Sequence, residues 1–530
     1  MKIRLLLLSA LSGILICLAL PNEIHTGGIW ILGFFCLTPL FISLYWCRDK
    51  RFAHLIGIVY GLVSSVCCYY WLMYFGEFSL WTITGVSLGY AVFCFFLAPF
   101  LQRLIQLPRI YRPFILAAAW TLYEYFKSSG YLAFPWGLSA YPLADFLPLI
   151  QIVDITGIWG LSFLMACANT LIMEGILLIT ESPGNTNRNP IFFRQVIFWG
   201  SCMLISLLYG LFRMNQDIPI KKSFTAVIVQ ANIDPWVGTN EIPSLITAQN
   251  LSKEGIAELG EVPNVITWNE SSFRRPYVEY RDFFEKYPEG DSFVSFMKES
   301  GSFLLAGSPY VLDWDKREML NAVLLINSEG TVQDFYGKQH PVPLAEHVPF
   351  WELKIVQRFY KNEIGLPNGG WVLGTESKIF TIPLKDGGTL DFGVPICFED
   401  AFPPLCRQFF RKGAEVLINL SNDSWSQTVS AEIQHFVVAK FRAVESKRVL
   451  VRSTNGGVTA VIGPFGEILD TLPLFTESYI ATSIPVYAED SPTFYMLFGD
   501  YLPFLFLGLI LTTLVIQARG KKRTSKNCSF

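Results

Sequence analysis

The sequence predicts a polytopic α-helical membrane bundle of about eight spans, joined to a layered α/β domain. Hydrophobic residues make up 52% of the 530-residue chain, and the mean hydropathy is +0.38, which is high for a soluble protein. These residues crowd into roughly the first 215 positions and the last 40, whereas the stretch between has the composition of a soluble domain. We therefore expect three regions, at 1–215, 216–490 and 491–530.

The apolar segments have the length of membrane-spanning helices, which need about 20 residues each. Seven precede residue 216 and one follows residue 490. The first begins Met-Lys-Ile-Arg and is not followed by a small-x-small cleavage site, so we expect an uncleaved helix. The predicted spans lie near 3–20, 27–46, 53–76, 80–102, 112–128, 158–179, 195–213 and 494–517.

Lysine and arginine concentrate at alternate ends of these segments, and cationic loops tend to stay cytoplasmic. The opposite ends have almost no lysine or arginine, and the 127–157 segment has only Lys127. Seven crossings from a cytoplasmic N terminus then place residues 216–490 outside the cytoplasm, and the eighth returns the tail. The cationic set is Lys2, Arg4, Arg48, Lys50, Arg51, Arg103, Arg109, Arg112, Arg188, Arg194, Arg519, Lys521, Lys522, Arg523 and Lys526.

Residues 129–157 are too polar and too rich in proline and glycine to span a membrane. The stretch Phe134-Pro135-Trp136-Gly137 favours an aromatic loop anchored at the level of the lipid headgroups. The alternative is a lid or wall for a lipid that enters a site.

Short aliphatic and β-branched runs alternate with helical stretches between residues 216 and 490. Such near-continuous apolar strands are typical of sheets that are covered on both faces. Amphipathic helices are expected over 243–260 and 431–447, and neither G-x-G-x-x-G nor a phosphate loop is present. The strands are predicted at 224–230, 264–268, 302–307, 322–326, 390–396, 416–420 and 449–452.

Composition also argues against several partners. The formal net charge is −3 and no arginine-rich stripe occurs, so nucleic acid is not expected.

Eight of the eleven cysteines fall in or beside apolar segments, and Cys528 lies in the tail. Since no C-x-x-C pair or His/Cys cluster has zinc spacing, we expect no metal and no cofactor. The thiols of the soluble region are Cys397 and Cys406.

Three residues at predicted strand ends have the chemistry for acyl transfer. Cys397 lies between the strand at 390–396 and an apparent helical turn, where backbone N–H groups favour a thiolate and hold an oxyanion. Glu270 and Lys338 each follow an apolar strand. Strand ends converge on one edge of an α/β sandwich, so a carboxylate, an ammonium and a thiol are expected to meet.

The surrounding segments resemble the Glu-Lys-Cys signature of the nitrilase or C-N hydrolase superfamily. Residues 338–349 follow the pattern K-x-x-x-V-P-x-x-E-x-V-P, and residues 419–425 the pattern N-x-x-N-D-x-W. With seven spans before this region and one after it, the whole chain resembles the apolipoprotein N-acyltransferase family, and 134–136 and 230–233 are similar to further motifs of that family.

This resemblance implies an αββα sandwich whose site opens towards the bilayer of the bacterial inner membrane. The acyl donor is expected to be a phospholipid, usually phosphatidylethanolamine, and the acceptor a diacylglyceryl apolipoprotein with a free N-terminal cysteine. A monomer is expected. Two residues depart from the family pattern: Asn269 stands where proline is common, and Phe398 where many members have tyrosine. We expect loop rigidity or acceptor preference, but not the chemistry, to differ.

In the expected mechanism Cys397 attacks an ester, Glu270 acts as general base, and Lys338 stabilises the oxyanion. Glu346 resembles the family's second glutamate, with a structural ion pair as the alternative. Glu399 either positions the nucleophile loop or caps its helix. Trp236 and Asn321 match positions near the family's substrate cleft, although a tryptophan serves equally well in a core.

Three histidines raise a competing hypothesis, in which one of them is the base for Cys397. They are His340, His347 and His435, and the Glu/Lys framework makes this the weaker choice. Cys406 lies nine residues beyond Cys397. Because a disulfide between the two would remove the free thiol of Cys397, we expect Cys406 to pack in the core.

Two other functions stay open at this point. A membrane-anchored amidase would use the same residues with water as the acceptor. A transporter or receptor would only bind ligand. Transport predicts ionisable groups inside the spans, and few occur here: Glu124 is the clearest, and Glu174 lies near the end of a span.

Overall fold

The computed structural model describes residues 1–530 except 75, 77–78, 182–188, 344, 365–368, 489–490 and 528–530. Arg188 and Cys528 lie outside the described residues, as do the side chains of residues 520–527 and hence four of the predicted tail cations. The chain forms two compact units. The first comprises residues 1–70, 83–215 and those from 497 onward, and the second comprises 71–82 and 216–496.

The first unit is a bundle of α-helices. Helices are numbered along the whole chain, and α10–α16 belong to the second unit. Those of the first unit are α1 (Lys2–Ala19), α2 (Thr38–Trp46), α3 (Lys50–Tyr69), α4 (Ser79–Ile105), α5 (Arg112–Lys127), α6 (Leu147–Ile150), α7 (Val153–Thr156), α8 (Ile158–Glu181), α9 (Asn189–Met214) and α17 (Tyr501–Asn527).

Among the described residues, six helices are long and apolar enough to cross a membrane. They are Lys2–Ala19, Lys50–Tyr74, Ser79–Ile105, Ile158–Thr180, Pro190–Met214 and Tyr501–Arg519.

The predicted spans at 27–46 and 112–128 are helical, but their helices are shorter than the six that are long enough to cross a membrane. The first is divided into a 3-10 turn, Trp30–Phe34, and α2, where a proline stands in the first turn. The second is the 16-residue α5.

The loop after α5 packs inside the first unit. Trp136 is only 3% exposed and stacks on Phe134 with ring centroids 5.1 Å apart. The buried Lys127 ammonium donates to the Trp136 carbonyl oxygen over 2.6 Å, and the Tyr69 hydroxyl donates to the same oxygen over 3.0 Å. These polar contacts hold the Trp136 backbone inside the first unit, and the anchoring of this loop at headgroup level stays a prediction.

Ionisable side chains inside the first unit are paired. Arg112 donates from both Nε and Nη2 to the buried carboxylate of Glu174. Glu124 accepts from the Trp120 indole over 2.9 Å and from the Ser139 backbone N–H over 2.8 Å. Because each carboxylate has a structural partner, neither gives support to a transport pathway.

The second unit contains two six-stranded sheets. Their orders are β12-β1-β2-β3-β4-β5 and β11-β10-β9-β8-β7-β6. The strands are β1 (Ile220–Gln230), β2 (Val265–Thr267), β3 (Phe303–Asp313), β4 (Glu318–Ile326), β5 (Val332–Gly337), β6 (Ile379–Pro383), β7 (Thr389–Gly393), β8 (Val416–Ser421), β9 (Leu450–Thr454), β10 (Ala460–Ile462), β11 (Ile468–Thr471) and β12 (Ser478–Tyr487).

The helices of this unit are α10 (Glu241–Leu259), α11 (Arg281–Phe284), α12 (Phe293–Ser300), α13 (Lys354–Phe359), α14 (Pro403–Arg411), α15 (Val429–Ser446) and α16 (Phe494–Phe498). Helix α10 packs on β1 and β12, while α14 packs on β7 and β8 and α15 on β9. The sheets contact each other, as where the Ser453 hydroxyl of β9 donates to the Thr267 carbonyl of β2 over 3.3 Å. The predicted αββα sandwich is thereby confirmed.

Aromatic packing fixes the strand that leads to Glu270. Trp268 is fully buried and stacks on Phe296 with centroids 5.8 Å apart, and its indole N–H donates to Ser252 of α10 over 3.0 Å. A buried aromatic side chain contributes about 1.5–3 kcal/mol. The end of β2 is therefore held firmly just before the chain turns towards the site.

Candidate active site

Glu270, Lys338 and Glu346 form one buried hydrogen-bonded cluster. The ammonium nitrogen of Lys338 lies 3.0 Å from Glu270 Oε1 and 2.8 Å from Glu346 Oε1. The Glu270 carboxylate and the Lys338 ammonium both act electrostatically on the Cys397 thiol. The structure thus brings together the three residues that the sequence placed at separate strand ends.

The carboxylate of Glu270 is fixed through both of its oxygens. Oε1 accepts from the Asn321 amide over 2.8 Å as well as from Lys338, and Oε2 accepts from the backbone N–H of Asn422 over 3.1 Å. Asn321 lies on β4 and also donates to Glu346 over 3.2 Å. A carboxylate held at both oxygens presents its remaining lone pairs in one direction, as a general base requires.

The backbone around Glu270 passes very close to β3. A β-carbon added to Gly307 would lie 2.2 Å from the Ser271 nitrogen and 2.7 Å from the Glu270 α-carbon. Ser271 has φ +59°, in the left-handed region. Only glycine at position 307 leaves room for the backbone of Glu270 and Ser271.

The charge of Lys338 is set by its surroundings. Burial alone would lower the pKa of Lys338, but the carboxylates of Glu270 and Glu346 raise that pKa well above its usual value. Burial also raises the pKa of Glu346, and the nearby Lys338 ammonium opposes the rise. Lys338 is therefore a permanent cation between two carboxylates.

Cys397 begins a 3-10 turn, Cys397–Ala401, directly after the strand that continues β7. Its φ is +50°, a conformation that costs a non-glycine residue about 1–3 kcal/mol and occurs often at functional sites. The Asn419 amide of β8 donates to the Cys397 carbonyl over 3.0 Å and holds this turn. Burial and the negative charge of Glu270 raise the thiol pKa well above its ordinary value, while Lys338 opposes the rise. Cys397 consequently rests as a neutral thiol and needs a base.

Glu399 links the nucleophile turn to the segment that carries Lys338. Its carboxylate accepts from the backbone N–H groups of Ile396, Gln339 and His340 over 2.8, 2.6 and 3.0 Å, and from the Tyr336 hydroxyl over 3.0 Å. Burial raises the pKa of Glu399 to about 7, against the effect of these backbone donors. Both alternatives for Glu399 describe part of this arrangement, because it caps its own turn and also joins two segments.

Trp236 lies at the exposed edge of the cluster. Its side chain is 41% exposed, its indole N–H donates to the Ser271 carbonyl over 3.3 Å, and its ring meets the edge of Trp371 with centroids 6.3 Å apart. It is therefore a surface residue beside the Glu270 turn and not part of the core.

The two residues that depart from the family pattern are both buried. The Asn269 amide donates to the Glu270 carbonyl over 2.7 Å. Phe398 is 5% exposed and packs edge-on against Phe402 with centroids 5.0 Å apart.

Each of the three candidate histidines has partners of its own, and those of His435 occupy both ring nitrogens. Both ring nitrogens of His435 face carboxylates, Asp400 at 3.0 Å and Asp423 at 3.1 Å. His340 stacks on Phe402 with centroids 4.6 Å apart, and His347 contacts the Trp371 carbonyl over 2.9 Å. A ring whose nitrogens already serve two carboxylates has no lone pair for a thiol proton.

The Cys406 side chain is buried in α14. Its sulfur lies 3.8 Å from the Glu399 carbonyl and 4.0 Å from the Asp400 carbonyl. Within the described part of the chain, neither Cys406 nor Cys397 forms a disulfide.

Sequence reasoning did not identify the backbone N–H of Asn422 or the side chain of Asn419 as parts of the site. The 419–425 motif includes both residues. The sequence does not show which backbone N–H is used, because almost every residue type has one. The buried charges of Asp400, Asp423 and Arg452 were missed as well.

Two family models match the chain. Residues 12–171 match the N-terminal domain of apolipoprotein N-acyltransferase, and residues 265–490 match carbon-nitrogen hydrolase. The second match contains Glu270, Lys338 and Cys397.

Full-length relatives show the same similarity. The chain is 37% identical to apolipoprotein N-acyltransferase 2 of Treponema denticola, with 97% of each chain covered. It is 34% identical to apolipoprotein N-acyltransferase 2 of Treponema pallidum, over 97% of this chain and 94% of that one. It is 32% identical to the apolipoprotein N-acyltransferase of Borreliella burgdorferi, over 98% of this chain and 96% of that one. On its fold, its site and these full-length similarities, the chain belongs to the apolipoprotein N-acyltransferase family.

Proposed function

We propose that this protein moves an acyl chain from a phospholipid, through a thioester on Cys397, to the N-terminal amine of diacylglyceryl-cysteine lipoproteins, the last step of lipoprotein maturation. The observation that carries the proposal is the buried Glu270–Lys338–Glu346 cluster acting on the Cys397 thiol, in a chain with long apolar helices. Phosphatidylethanolamine is the proposed donor, and the enzyme acts as a monomer.

In the first half-reaction Glu270 accepts the thiol proton while the Cys397 sulfur bonds to the ester carbonyl carbon. The negative charge that develops on the carbonyl oxygen is stabilised by Lys338 and by a backbone N–H near Cys397, with about 3–4 kcal/mol per donor in other acyl-transfer enzymes. The C–O bond then breaks, and the leaving lysophospholipid oxygen takes the proton from Glu270. The acyl group stays on sulfur as a thioester.

In the second half-reaction the lipoprotein amine attacks the thioester carbonyl. Glu270 accepts a proton from the amine, the C–S bond breaks, and that proton returns to the Cys397 sulfur. The products are an amide and the free thiol, so the kinetics are ping-pong. Since the raised thiol pKa keeps resting Cys397 protonated, proton transfer to Glu270 accompanies each attack by sulfur.

The supporting residues have distinct proposed roles. Asn321 and Glu346 position Glu270 and Lys338, with which they share hydrogen bonds. Glu399 positions the nucleophile turn through its backbone contacts. Trp236, exposed beside the Glu270 turn, contacts substrate.

We place residues 216–490 on the extracytoplasmic side of the bacterial inner membrane and both termini in the cytoplasm. The distribution of lysine and arginine supports this orientation. The orientation uses all seven predicted spans, because leaving out those at 27–46 and 112–128 would move Arg48, Lys50 and Arg51 out of the cytoplasm. The corresponding domains are the membrane domain 1–215, the hydrolase-like domain 216–490 and the final helix with its basic tail, 491–530.

One assay tests both half-reactions. The full-length protein is incubated with phosphatidylethanolamine and a diacylglyceryl peptide, and mass spectrometry follows a thioester on Cys397 and the acylated amine. Both species are expected, and Cys397→Ser, Glu270→Gln and Lys338→Ala should abolish them. Cys406→Ser is the matched control, since it removes another buried thiol of the same domain.

Other products would contradict the proposal. Release of free fatty acid or ammonia without an N-acylated peptide would identify an amidase. Undiminished acylation by all three variants would show that the cluster is not catalytic.

A further inference from the structure

We propose that His435 is a positioning residue. Its doubly protonated ring joins Asp400 to Asp423, and so fixes the Cys397 turn relative to the segment after β8 that contacts Glu270. This inference rests on the proposed function, because it concerns the same nucleophile and base. It assigns a role to a buried charge cluster, defined as Asp400, Asp423, His435 and Arg452, that the mechanism does not otherwise use.

The cluster connects four segments of the second unit. His435 projects from α15, and its Nε2 lies 3.0 Å from Asp400 Oδ1, while its Nδ1 lies 3.1 Å from Asp423 Oδ1. Arg452 of β9 donates to the other oxygen of Asp400, and its Nη2 lies 3.5 Å from Asp423 Oδ2. Each carboxylate therefore lies between the imidazole and the guanidinium.

This geometry determines the protonation of the ring. A neutral imidazole has one N–H donor and one acceptor nitrogen, whereas an ionised carboxylate offers acceptors only. Two carboxylates on the two ring nitrogens therefore require two N–H groups. The Arg452 guanidinium, which is always charged, contacts both carboxylates as well. His435 is consequently an imidazolium.

The charges of the cluster then cancel. Asp400 and Asp423 supply two negative charges, and His435 and Arg452 two positive charges. Glu432 lies one turn earlier on α15, and burial and the nearby Asp423 charge raise its pKa well above the usual value, which favours its uncharged form. A neutral imidazole at position 435 would leave one uncompensated buried charge, which is strongly unfavourable.

Both carboxylates lead directly to the reacting groups. Asp400 belongs to the 3-10 turn Cys397–Ala401 that begins with the nucleophile. Asp423 follows Asn422, whose backbone N–H donates to Glu270 Oε2 over 3.1 Å. The Asp423 charge also raises the pKa of the Cys397 thiol. The imidazolium thus fixes two segments and offsets a charge that disfavours the thiolate.

The electrostatics agree with this geometry. Burial lowers the pKa of His435, but Asp423 and Asp400 outweigh this effect and raise that pKa to about 9, while Arg452 opposes them. The stabilising contribution of this ion cluster is complete below the unfolded-state pKa near 6.5 and is lost as the pH rises through about 9.

Thiol alkylation tests the inference without any acyl donor. Iodoacetamide labelling of Cys397 in the full-length protein is followed by mass spectrometry from about pH 7 to about pH 11, a window that extends well above the ordinary pKa of a thiol. His435→Gln is expected to move the midpoint upward by about one pH unit, since the carboxylates then disfavour the thiolate. Adding Asp423→Asn removes the excess negative charge and should move the midpoint back. An unmoved midpoint in His435→Gln, or no return in the double variant, overturns the inference.

Glu445→Gln is the matched control. Glu445 is a buried charge on the same helix, paired with Arg442 over 2.9 Å. Its variant loses one buried charge outside the cluster, so the labelling midpoint should stay at the wild-type value. A shift as large as that of His435→Gln would show a general disturbance of α15 and would overturn the specific role.

A measurement on the wild type covers the case in which His435→Gln fails to fold. The chain has five histidines, so ¹⁵N-histidine labelling gives few resonances, and substituting the other four assigns His435. An imidazolium at pH 8 is expected, and a neutral ring at that pH contradicts the inference.

Kinetics separate this inference from the proposed function. With phosphatidylethanolamine and a diacylglyceryl peptide, His435→Gln should lower kcat tenfold to hundredfold and leave KM unchanged, as for a small misplacement of reacting groups. If the wild type does not acylate but the alkylation midpoint shifts, the proposed function fails and the positioning role stands. If acylation is normal in His435→Gln, only the positioning role fails.

Discussion

The Lys338 ammonium nitrogen lies 3.0 Å from Glu270 Oε1, and both side chains are almost fully buried. A lysine that already pairs with the base can stabilise a transient oxyanion without any change in its own protonation. Under the proposed mechanism this contact joins the base to the oxyanion donor, and replacing either residue should disable both half-reactions.

The first prediction concerns Lys338→Met, which keeps length and removes charge. We expect kcat to fall at least about a hundredfold, since one oxyanion donor contributes that much in related chemistry. The two carboxylates left behind should also raise the pKa of Cys397 and slow its alkylation. Lys378→Met, at a partly exposed pair with Asp334, is the control. Equal acylation by wild type and Lys338→Met would contradict the role of Lys338.

The second prediction concerns Gly307→Ala. The added β-carbon meets the backbone of Glu270 and Ser271 at distances no real contact tolerates, so the base must move. We expect kcat to fall about a hundredfold, as for a displacement near 1 Å. Gly200→Ala is the control, because its β-carbon meets nothing within 4 Å. Normal kinetics in Gly307→Ala would rule out this backbone constraint.

The third prediction concerns pH and Glu399. Its pKa is raised to about 7 in the folded protein, so the folded state binds a proton there more tightly than the unfolded chain. Stability from this group is complete below about pH 4.5 and is lost as the pH rises through about 7, with a total of roughly 3 kcal/mol. Thermal unfolding of Glu399→Gln should show a flatter dependence of Tm on pH over this window. An unchanged slope would contradict the shifted pKa.

The fourth prediction concerns Asn269→Ala. Loss of the hydrogen bond from the Asn269 amide to the Glu270 carbonyl should cost about 1 kcal/mol of unfolding free energy. It should also lower kcat more than it raises KM, because the bond orders the turn that carries the base. Stability and kinetics identical to those of the wild type would show that the amide does not replace the proline of related chains.

Much of the second unit was predictable from local pattern. The apolar runs at 416–420 and 449–452 correspond to β8 and β9, and the helix expected at 431–447 is α15. Strand β12 was not predicted, because it pairs antiparallel with β1 across the whole domain, as where Ile228 lies opposite Ile480. Such a pairing depends on which edge remains open after the other strands have assembled.

The membrane region shows the limits of hydropathy. Apolar composition located all eight helical segments, but it did not separate the long helices from the shorter ones at 27–46 and 112–128. It also gave no sign that the Trp136 carbonyl accepts hydrogen bonds from Lys127 and Tyr69 inside the first unit. A hydropathy average contains no information about such specific partners.

The sequence by itself determined the types of residue available for chemistry and their positions at strand ends, namely Glu270, Lys338 and Cys397. It also determined that part of the chain is apolar enough for a membrane, because composition and periodicity are local properties. Only the tertiary structure decided which groups meet. The contact of Asn422 with Glu270, the donors that surround Glu399, and the two carboxylates on His435 all join segments far apart in the chain. Such contacts arise when the two sheets pack, since a buried charge or backbone donor without a partner is costly.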